Sequence, residues 1–293
     1  MSNYSIAGYT IKLSSFPAYM EWDNFERFAC LDPEPDISFE IVSHSIDTFC
    51  NVPGDAEKLV DSSVHKTYRY SGATHFFQTP DDIVSYVRAT GDYSECILNI
   101  EPKYYDNAID SEMKKYINDA VMFDMRKMLT GKLALGRGLC IHSCVAIYDG
   151  FGVLFSAATE TGKSTHAHLW QEVYPETEIV NGDNGFCRML DNVPYVFGAP
   201  WCGNSNECLN RSAPIKAIVF LEQAQDNNIE KLDQLNAFMR LAARCYMPLW
   251  DEVLVSKSMD TVESMTKKVD CYLLKCLPNQ DAARLAHDEI FKH

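Results

Sequence analysis

The segment Ala157-Ala158-Thr159-Glu160-Thr161-Gly162-Lys163-Ser164-Thr165 carries the strongest chemical pattern in this chain. It follows a short apolar run, Val153–Ala157, and leads into a helical pattern over Lys163–Val173. In a strand–loop–helix setting, backbone N–H groups of the loop and of the helix N-terminus point at phosphate oxygens. Lys163 would neutralise the β- and γ-phosphates of a nucleotide. Ser164 would offer a hydroxyl to Mg2+, which keeps most of its water and takes few protein ligands. The candidate nucleotide-binding residues are therefore Ala158, Thr159, Glu160, Thr161, Gly162, Lys163, Ser164 and Thr165. The full pattern opens on glycine, and here that position is Ala157, which reaches positive φ and close backbone approach less readily. The competing reading is a chance Gly-Lys-Ser in an ordinary turn.

About twenty residues on, Asn181-Gly182-Asp183-Asn184-Gly185 ends a short strand pattern. Asp183 has the chemistry either to hold the metal with Ser164 or to take a proton from an attacking hydroxyl. A plain Asn/Asp/Gly turn is the alternative. In Cys140-Ile141-His142-Ser143-Cys144, strand alternation places Cys140, His142 and Cys144 on one face. Zinc is one reading of that face, although three local ligands at this spacing are not a standard site. A packed core histidine is another, and a phosphate- or substrate-contacting histidine a third. Trp201-Cys202-Gly203-Asn204 follows a strand and reads as a substrate-facing loop or as a packed tryptophan in a turn. Arg211 is either a stabiliser of phosphoryl charge or an exposed loop arginine. His166 and His168, two apart on a helix, do not share a face and are not a metal pair.

These residues need elements to hold them. Residues 1–107 read as β-rich, with strands at Ile6–Leu13, Ile37–Val42, Thr67–Tyr70 and Cys96–Ile100 broken by Pro, Gly and Asp clusters. Ser111–Leu129 has apolar residues at helical spacing, with Gly131 as its stop. Residues 108–293 then alternate. Strands are expected at Leu139–Tyr148, Val153–Ala157, Glu178–Val180 and Ile215–Leu221, and at Tyr272–Leu277. A hairpin turns at Asp191-Asn192. Helices are expected at Lys163–Val173, Leu232–Cys245 and Asp281–Phe291. Leu235, Met239 and Ala242 read most simply as core. Interleaved strands and helices imply an α/β core.

The 293 residues are 46% hydrophobic and 23% charged, ample for a buried core. A formal charge of −15 repels nucleic-acid backbones and anionic membranes, so neither partner is expected. Eleven cysteines, no signal-like N-terminus and no apolar stretch of membrane-spanning length imply reduced thiols and a cytoplasmic location.

His142, the loop Val153–Thr165 and Asn181-Gly182-Asp183, in that order, resemble the catalytic domain of HPr kinase/phosphorylases, a relative of phosphoenolpyruvate carboxykinases. The chain resembles more closely the HPr-kinase-like proteins of bacterial peptide-modification gene clusters, where Gly198–Gly203 and Pro214–Glu222 have near counterparts. The resemblance spans roughly Leu139 to Gln223. It implies an HPr-kinase C-terminal, carboxykinase-like P-loop core with a β-rich N-terminal region, and ATP with Mg2+ as cofactors. It assigns Asp183 as acid/base or metal neighbour and His142 as a neighbour of the transferred phosphate, with Lys163 completing the catalytic set. The acceptor would be a serine-type hydroxyl of a peptide, carrier protein or small molecule, and a homo-oligomer is compatible with the family. Ala157, Thr159 and Glu160 replace Gly, Ser and Gly of the family loop, and Asn184 replaces the second acid of a paired Asp-Asp. A rival reading is therefore a nucleotide-binding module, weakly active or inactive, that presents a peptide to a partner enzyme. Carboxykinase chemistry is disfavoured by length and by the lack of a second His and Lys cluster for manganese.

Overall fold

The computed structural model describes residues 2–292 except 18, 21, 22, 33, 79–82, 106–108, 159 and 160. The chain divides into two compact units. One comprises Met1–Ser5, Tyr9–Leu135 and Pro248–Leu254, the other Ile6–Gly8, Gly136–Met247 and Val255–His293.

The first unit is built on a sheet of nine strands: β1 (Ser2–Ile6), β2 (Tyr9–Ser14), β3 (Ala29–Cys30), β4 (Ile37–Val42), β5 (Glu57–Asp61), β6 (His65–Tyr70), β7 (Ala73–Gln78), β8 (Val84–Thr90) and β9 (Glu95–Ile100). Their order is β3-β1-β2-β4-β9-β8-β7-β6-β5. Strand β4 runs parallel to both neighbours, and β5 to β9 form an antiparallel meander. The single strand expected over Ile6–Leu13 is instead two, because Ala7 and Gly8 both take positive φ and turn the chain. Two short helices, α1 (Asp23–Glu26) and α2 (Pro102–Tyr105), precede the long α3 (Ser111–Leu135). Helix α3, which reads from the sequence as a bridge between the two halves, is counted with the first unit. Ile117, Val121, Met125 and Met128 form its fully buried stripe.

Gly131 does not stop α3, which runs one turn further to Leu135. A Cβ at Gly131 would lie 2.5 Å from the ring of Tyr93. The glycine is a notch that seats an aromatic ring, and the helix continues past it. Tyr93 in turn accepts a hydrogen bond of 2.8 Å from the indole N–H of Trp250.

The second unit contains β10 (Gly138–Tyr148), β11 (Phe151–Ser156), α4 (Lys163–Val173), β12 (Glu178–Asn181), β13 (Asn184–Leu190), β14 (Val193–Phe197), β15 (Ser212–Gln223), β16 (Asn228–Lys231), α5 (Gln234–Ala242), α6 (Glu252–Thr266), β17 (Asp270–Cys276) and α7 (Gln280–Ile290). The sheet order is β11-β10-β13-β14-β15-β17-β16, with β12 on β10. A parallel pairing of β11 with β15 closes the first five strands into a ring. Both long strands, β10 and β15, change partners along their length. Apolar side chains pack on two faces. Leu154, Ile218 and Phe220 meet α5 and α6 through Leu241, Val262 and Met265. Phe155 and Val219 meet α4 and α7 through Trp170 and Ala286. The fold class is therefore mixed α/β, with helices on both faces of this sheet.

Leu235 and Met239 are not core: they are 69% and 61% exposed. Helix α5 turns Ala237 and Leu241 inward, and residues two to the N-terminal side lie on the other face. Strand β16 and helix α6 were not expected. The former is short and polar, and the apolar pattern of the latter is weak.

Gly131→Ala is expected to destabilise the protein by roughly 1–3 kcal/mol through overpacking, although Ala favours a helix by about 1 kcal/mol over Gly. Urea unfolding of Gly131→Ala, Tyr93→Leu and the pair checks it. The costs should fall short of additivity, because the smaller side chain makes room for the methyl.

Candidate functional site

Strand β11 lies between β10 and β15 and delivers Ala157 and Ala158 at its C-terminal end. Ala157 is 2% exposed and packs in the core beside Phe155 and Trp170. It is not among the described residues at positive φ. The glycine of the full pattern is thus not required here, and the methyl group fills space. Thr159 and Glu160 lie outside the described residues. The N–H of Thr161 donates to the Ala158 carbonyl at 3.3 Å. Gly162 caps α4 with φ +106 and ψ 25, a conformation open to glycine and costly for a side chain. Lys163 is the first residue of the helix, with Ser164 and Thr165 behind it.

Lys163 is only 8% exposed. Its Nζ lies 2.9 Å from His142 Nε2. The other ring nitrogen, His142 Nδ1, faces Asp183 Oδ1 at 3.3 Å. That contact lacks hydrogen-bond alignment, and the carboxylate faces the edge of the ring. The ammonium can only donate, so His142 accepts at Nε2 and carries its proton on Nδ1 beside the carboxylate. His142 beside it, with Lys163 and Asn184 adding to the effect, holds the Asp183 carboxyl below the usual carboxylate range against the opposing effect of burial. Burial lowers the Lys163 ammonium, Asp183 partly restores it, and Arg244 pushes it down again. The result is a line of cation, imidazole and carboxylate that begins at the first residue of a helix.

Strand pairing sets this line. His142 is opposite Asn184 in the β10–β13 register. Its N–H donates to the Arg244 carbonyl at 2.8 Å, and its carbonyl accepts from Ser156 Oγ at 2.8 Å. Asp183 sits at the junction of β12 and β13, and its carbonyl accepts from the Ser143 N–H at 3.0 Å. Asn181, fully buried, organises the turn. Its Oδ1 accepts from the N–H groups of Asp183 and Asn184 at 2.9 and 2.6 Å. Its Nδ2 donates to the carbonyls of Ala199 and Trp201 at 2.7 and 3.2 Å. Asn184 donates to Asp183 Oδ2 at 2.7 Å and to the Trp201 carbonyl at 2.9 Å. A second acid at position 184 would repel Asp183 and lose both bonds.

Trp201 and Cys202 are 7% and 2% exposed. They form a packed shelf under the turn, with the indole 5.6 Å from the Phe186 ring. Gly203 lies against the Asp183 carboxylate: a Cβ there would be 3.2 Å from Asp183 Cγ. Arg211 is exposed and pairs with Glu178 at 3.4 Å. Cys144 is buried, and burial pushes its thiol up to about 12. Among the described residues no group of three or more His, Cys, Asp or Glu side chains is placed to hold a metal ion. Among the described residues no cysteine forms a disulfide. Sequence reasoning missed Asn181 and Arg244. Asn181 was legible only as turn chemistry, and Arg244 reaches the site through tertiary packing.

The fold and site together define a mixed α/β protein with a lysine–histidine–aspartate line at a helix start. Residues 108–278 match the family described as SynChlorMet cassette protein ScmC. That span is more than half of the chain, and the protein belongs to this family. Among solved structures, the Hpr(Ser) kinase/phosphatase from Coxiella burnetii is similar over 50% of this chain and 85% of its own, at 10% identity and a TM-score of 0.31. No curated protein matches. No helix among the described residues is long and apolar enough to cross a membrane.

The two helical histidines separate. His168 is exposed and pairs with Glu207 at 2.7 Å. His166 is 3% exposed, set edge-on to Phe155 at 4.9 Å, and neither ring nitrogen has a hydrogen-bond partner. Burial pushes it down from 6.5 to about 4. Between those values the unfolded chain binds a proton that the native state refuses. Stability from this group is therefore full above pH 6.5 and falls as pH drops toward 4, by about 3 kcal/mol in all. Urea unfolding between pH 7.5 and 4 checks this. His166→Phe should show a slope of stability against pH that is lower by up to one proton, and an unchanged slope would refute the assignment.

Proposed function

We propose that this protein is an ATP- and Mg2+-dependent phosphotransferase that moves the γ-phosphoryl group to a serine-type hydroxyl of a peptide, a carrier protein or a small molecule. The observation that carries the reading is the line Lys163–His142–Asp183 at the start of α4. The N–H groups of Gly162 to Thr165, at the helix N-terminus, suit phosphate oxygens. Mg2+ supplies charge neutralisation of the phosphates when bound. The Ser164 hydroxyl and the Asp183 carboxylate would hold it, and one carboxylate suits an ion that takes its remaining ligands from phosphate and water.

Lys163 now spends its ammonium on His142 Nε2. Turned toward the β- and γ-phosphates, it frees that nitrogen. His142, with its Nδ1–H beside Asp183, is then a base of the kind a carboxylate orients and stabilises. The hydroxyl oxygen bonds to the γ-phosphorus, the bond from that phosphorus to the β–γ bridging oxygen breaks, and ADP leaves. The hydroxyl proton passes to Asp183 or to His142. Catalysis of this type is mostly positioning and charge stabilisation.

A second reading is a nucleotide-binding module without turnover, favoured by the single acid at the Asp183-Asn184 pair. Lys163→Ala tests the nucleotide site that both readings share, and label transfer separates them. Lys163→Ala is expected to weaken ATP binding at least tenfold, a loss of about 1.4 kcal/mol or more. Asp183→Asn should keep ATP binding within a few-fold and cut transfer of label from γ-labelled ATP by roughly a hundredfold or more. ATP binding without label transfer to any peptide or hydroxyl substrate leaves the module. Transfer that Asp183→Asn does not slow removes the assigned role of Asp183.

A further inference from the structure

Two cavities meet at the loop, and they differ in charge. Both are bordered by Thr161, Leu221 and Gln223. One, of about 790 Å3, is lined by Ala157 and Ala158 and by Arg240 and Arg244 from α5 and the residues just after it. Arg244 is near enough to Lys163 to lower its ammonium. Glu222 shares that wall and pairs with Arg240 at 2.9 Å, which leaves Arg244 as its net positive charge.

The other cavity, of about 600 Å3, runs along the first turns of α4. Its wall includes Thr165, His166 and Leu169 of α4, Gln223 and Gln225 at and after the end of β15, and Leu277 after β17. Among its described lining residues none is Lys, Arg, Asp or Glu. Phosphate has no cation to meet there beyond the helix start itself. A flat, uncharged ring with donors and acceptors on its edge meets apolar walls and two amides that offer both kinds of partner. Its volume is in the range of small-molecule sites.

His166 is the second, independent mark of a ligand here. It borders this cavity, is 3% exposed, and has no hydrogen-bond partner for either nitrogen. Buried polar groups are nearly always paired, and an unpaired one costs free energy. A neutral imidazole has one donor and one acceptor, the complement of a purine edge. Neither Lys163 nor Asp183 satisfies it.

We propose that this uncharged cavity is the nucleobase site, taking the purine and ribose of the nucleotide, with His166 as the hydrogen-bonding anchor. The assignment rests on the nucleotide reading of the Gly162-Lys163-Ser164 segment and orients the ligand. The base enters beside His166, the phosphates cross the start of α4, and the transferred group points to the side of Arg244.

Calorimetric titration of the full chain with ATP and with inorganic tripolyphosphate tests it. The wild type should bind ATP at least tenfold more tightly than tripolyphosphate. His166→Phe and Leu169→Trp, the latter filling the cavity from a half-buried position, should each weaken ATP tenfold or more and leave tripolyphosphate within twofold. Tripolyphosphate binding also reports that each variant is folded, and the two variants act independently of each other's folding. Lys163→Ala should weaken both ligands. Equal binding of ATP and tripolyphosphate by the wild type, or ATP binding unchanged in folded His166→Phe and Leu169→Trp, overturns the base site and leaves the phosphate site standing. Failure of the wild type to bind either ligand overturns both.

Discussion

A lysine that is 8% exposed survives at the start of α4 because an imidazole and a carboxylate stand in line with it. Desolvation works against the ammonium, and the Asp183 charge works for it. The same contact fixes the proton of His142 on the side of Asp183. Removing His142 or Asp183 would leave the buried Lys163 ammonium without that support. Much of the local architecture serves to keep these three side chains together. Strand β10 carries His142, strand β11 leads to the helix that carries Lys163, and the β12–β13 junction carries Asp183.

The precision of the third position comes from Asn181. One buried amide receives two backbone N–H groups and donates to two carbonyls. It welds the Asp183 turn to the segment from Ala199 to Trp201. Asn184 extends the same mesh to the carboxylate itself. An amide rather than an acid at position 184 is then a structural requirement of this turn as much as a catalytic loss. Trp201 and Cys202, which read equally well as a recognition loop, serve as the floor of this mesh.

Charge is unevenly placed around the loop. Arginines gather on the side of α5, while the side facing the strand ends at Gln223 and Leu277 is neutral. In a chain with a formal charge of −15, Lys163 and Arg244 would attract an anionic ligand more by placement than by bulk field. Acid conditions work against the fold through two burial-lowered histidines, His166 in one unit and His75 in the other, each pushed to about 4.

Features encoded within a few residues were legible in the sequence. The turns at Asp149-Gly150 and Asp191-Asn192 take positive φ at both residues, as their residue types imply. The strand–loop–helix setting of Gly162-Lys163, the hairpin of β13 and β14, and helix α7 follow from short-range periodicity. The residues that could do chemistry, His142, Lys163 and Asp183, were nameable from type and order alone. Their contact was not, because it depends on β10 pairing with β11 on one edge and β13 on the other. Gly131 read as a helix stop until a distant ring, Tyr93, was seen to occupy its notch. Leu235 and Met239 read as core until α5 turned another face inward. His166 and His168 differ by two places in sequence, and only packing decides that one is buried without a partner and the other meets Glu207 in solvent. Local dihedral preference determines a turn or a cap by itself. Burial and pairing are properties of residues far apart in the chain, and only the folded structure assigns them.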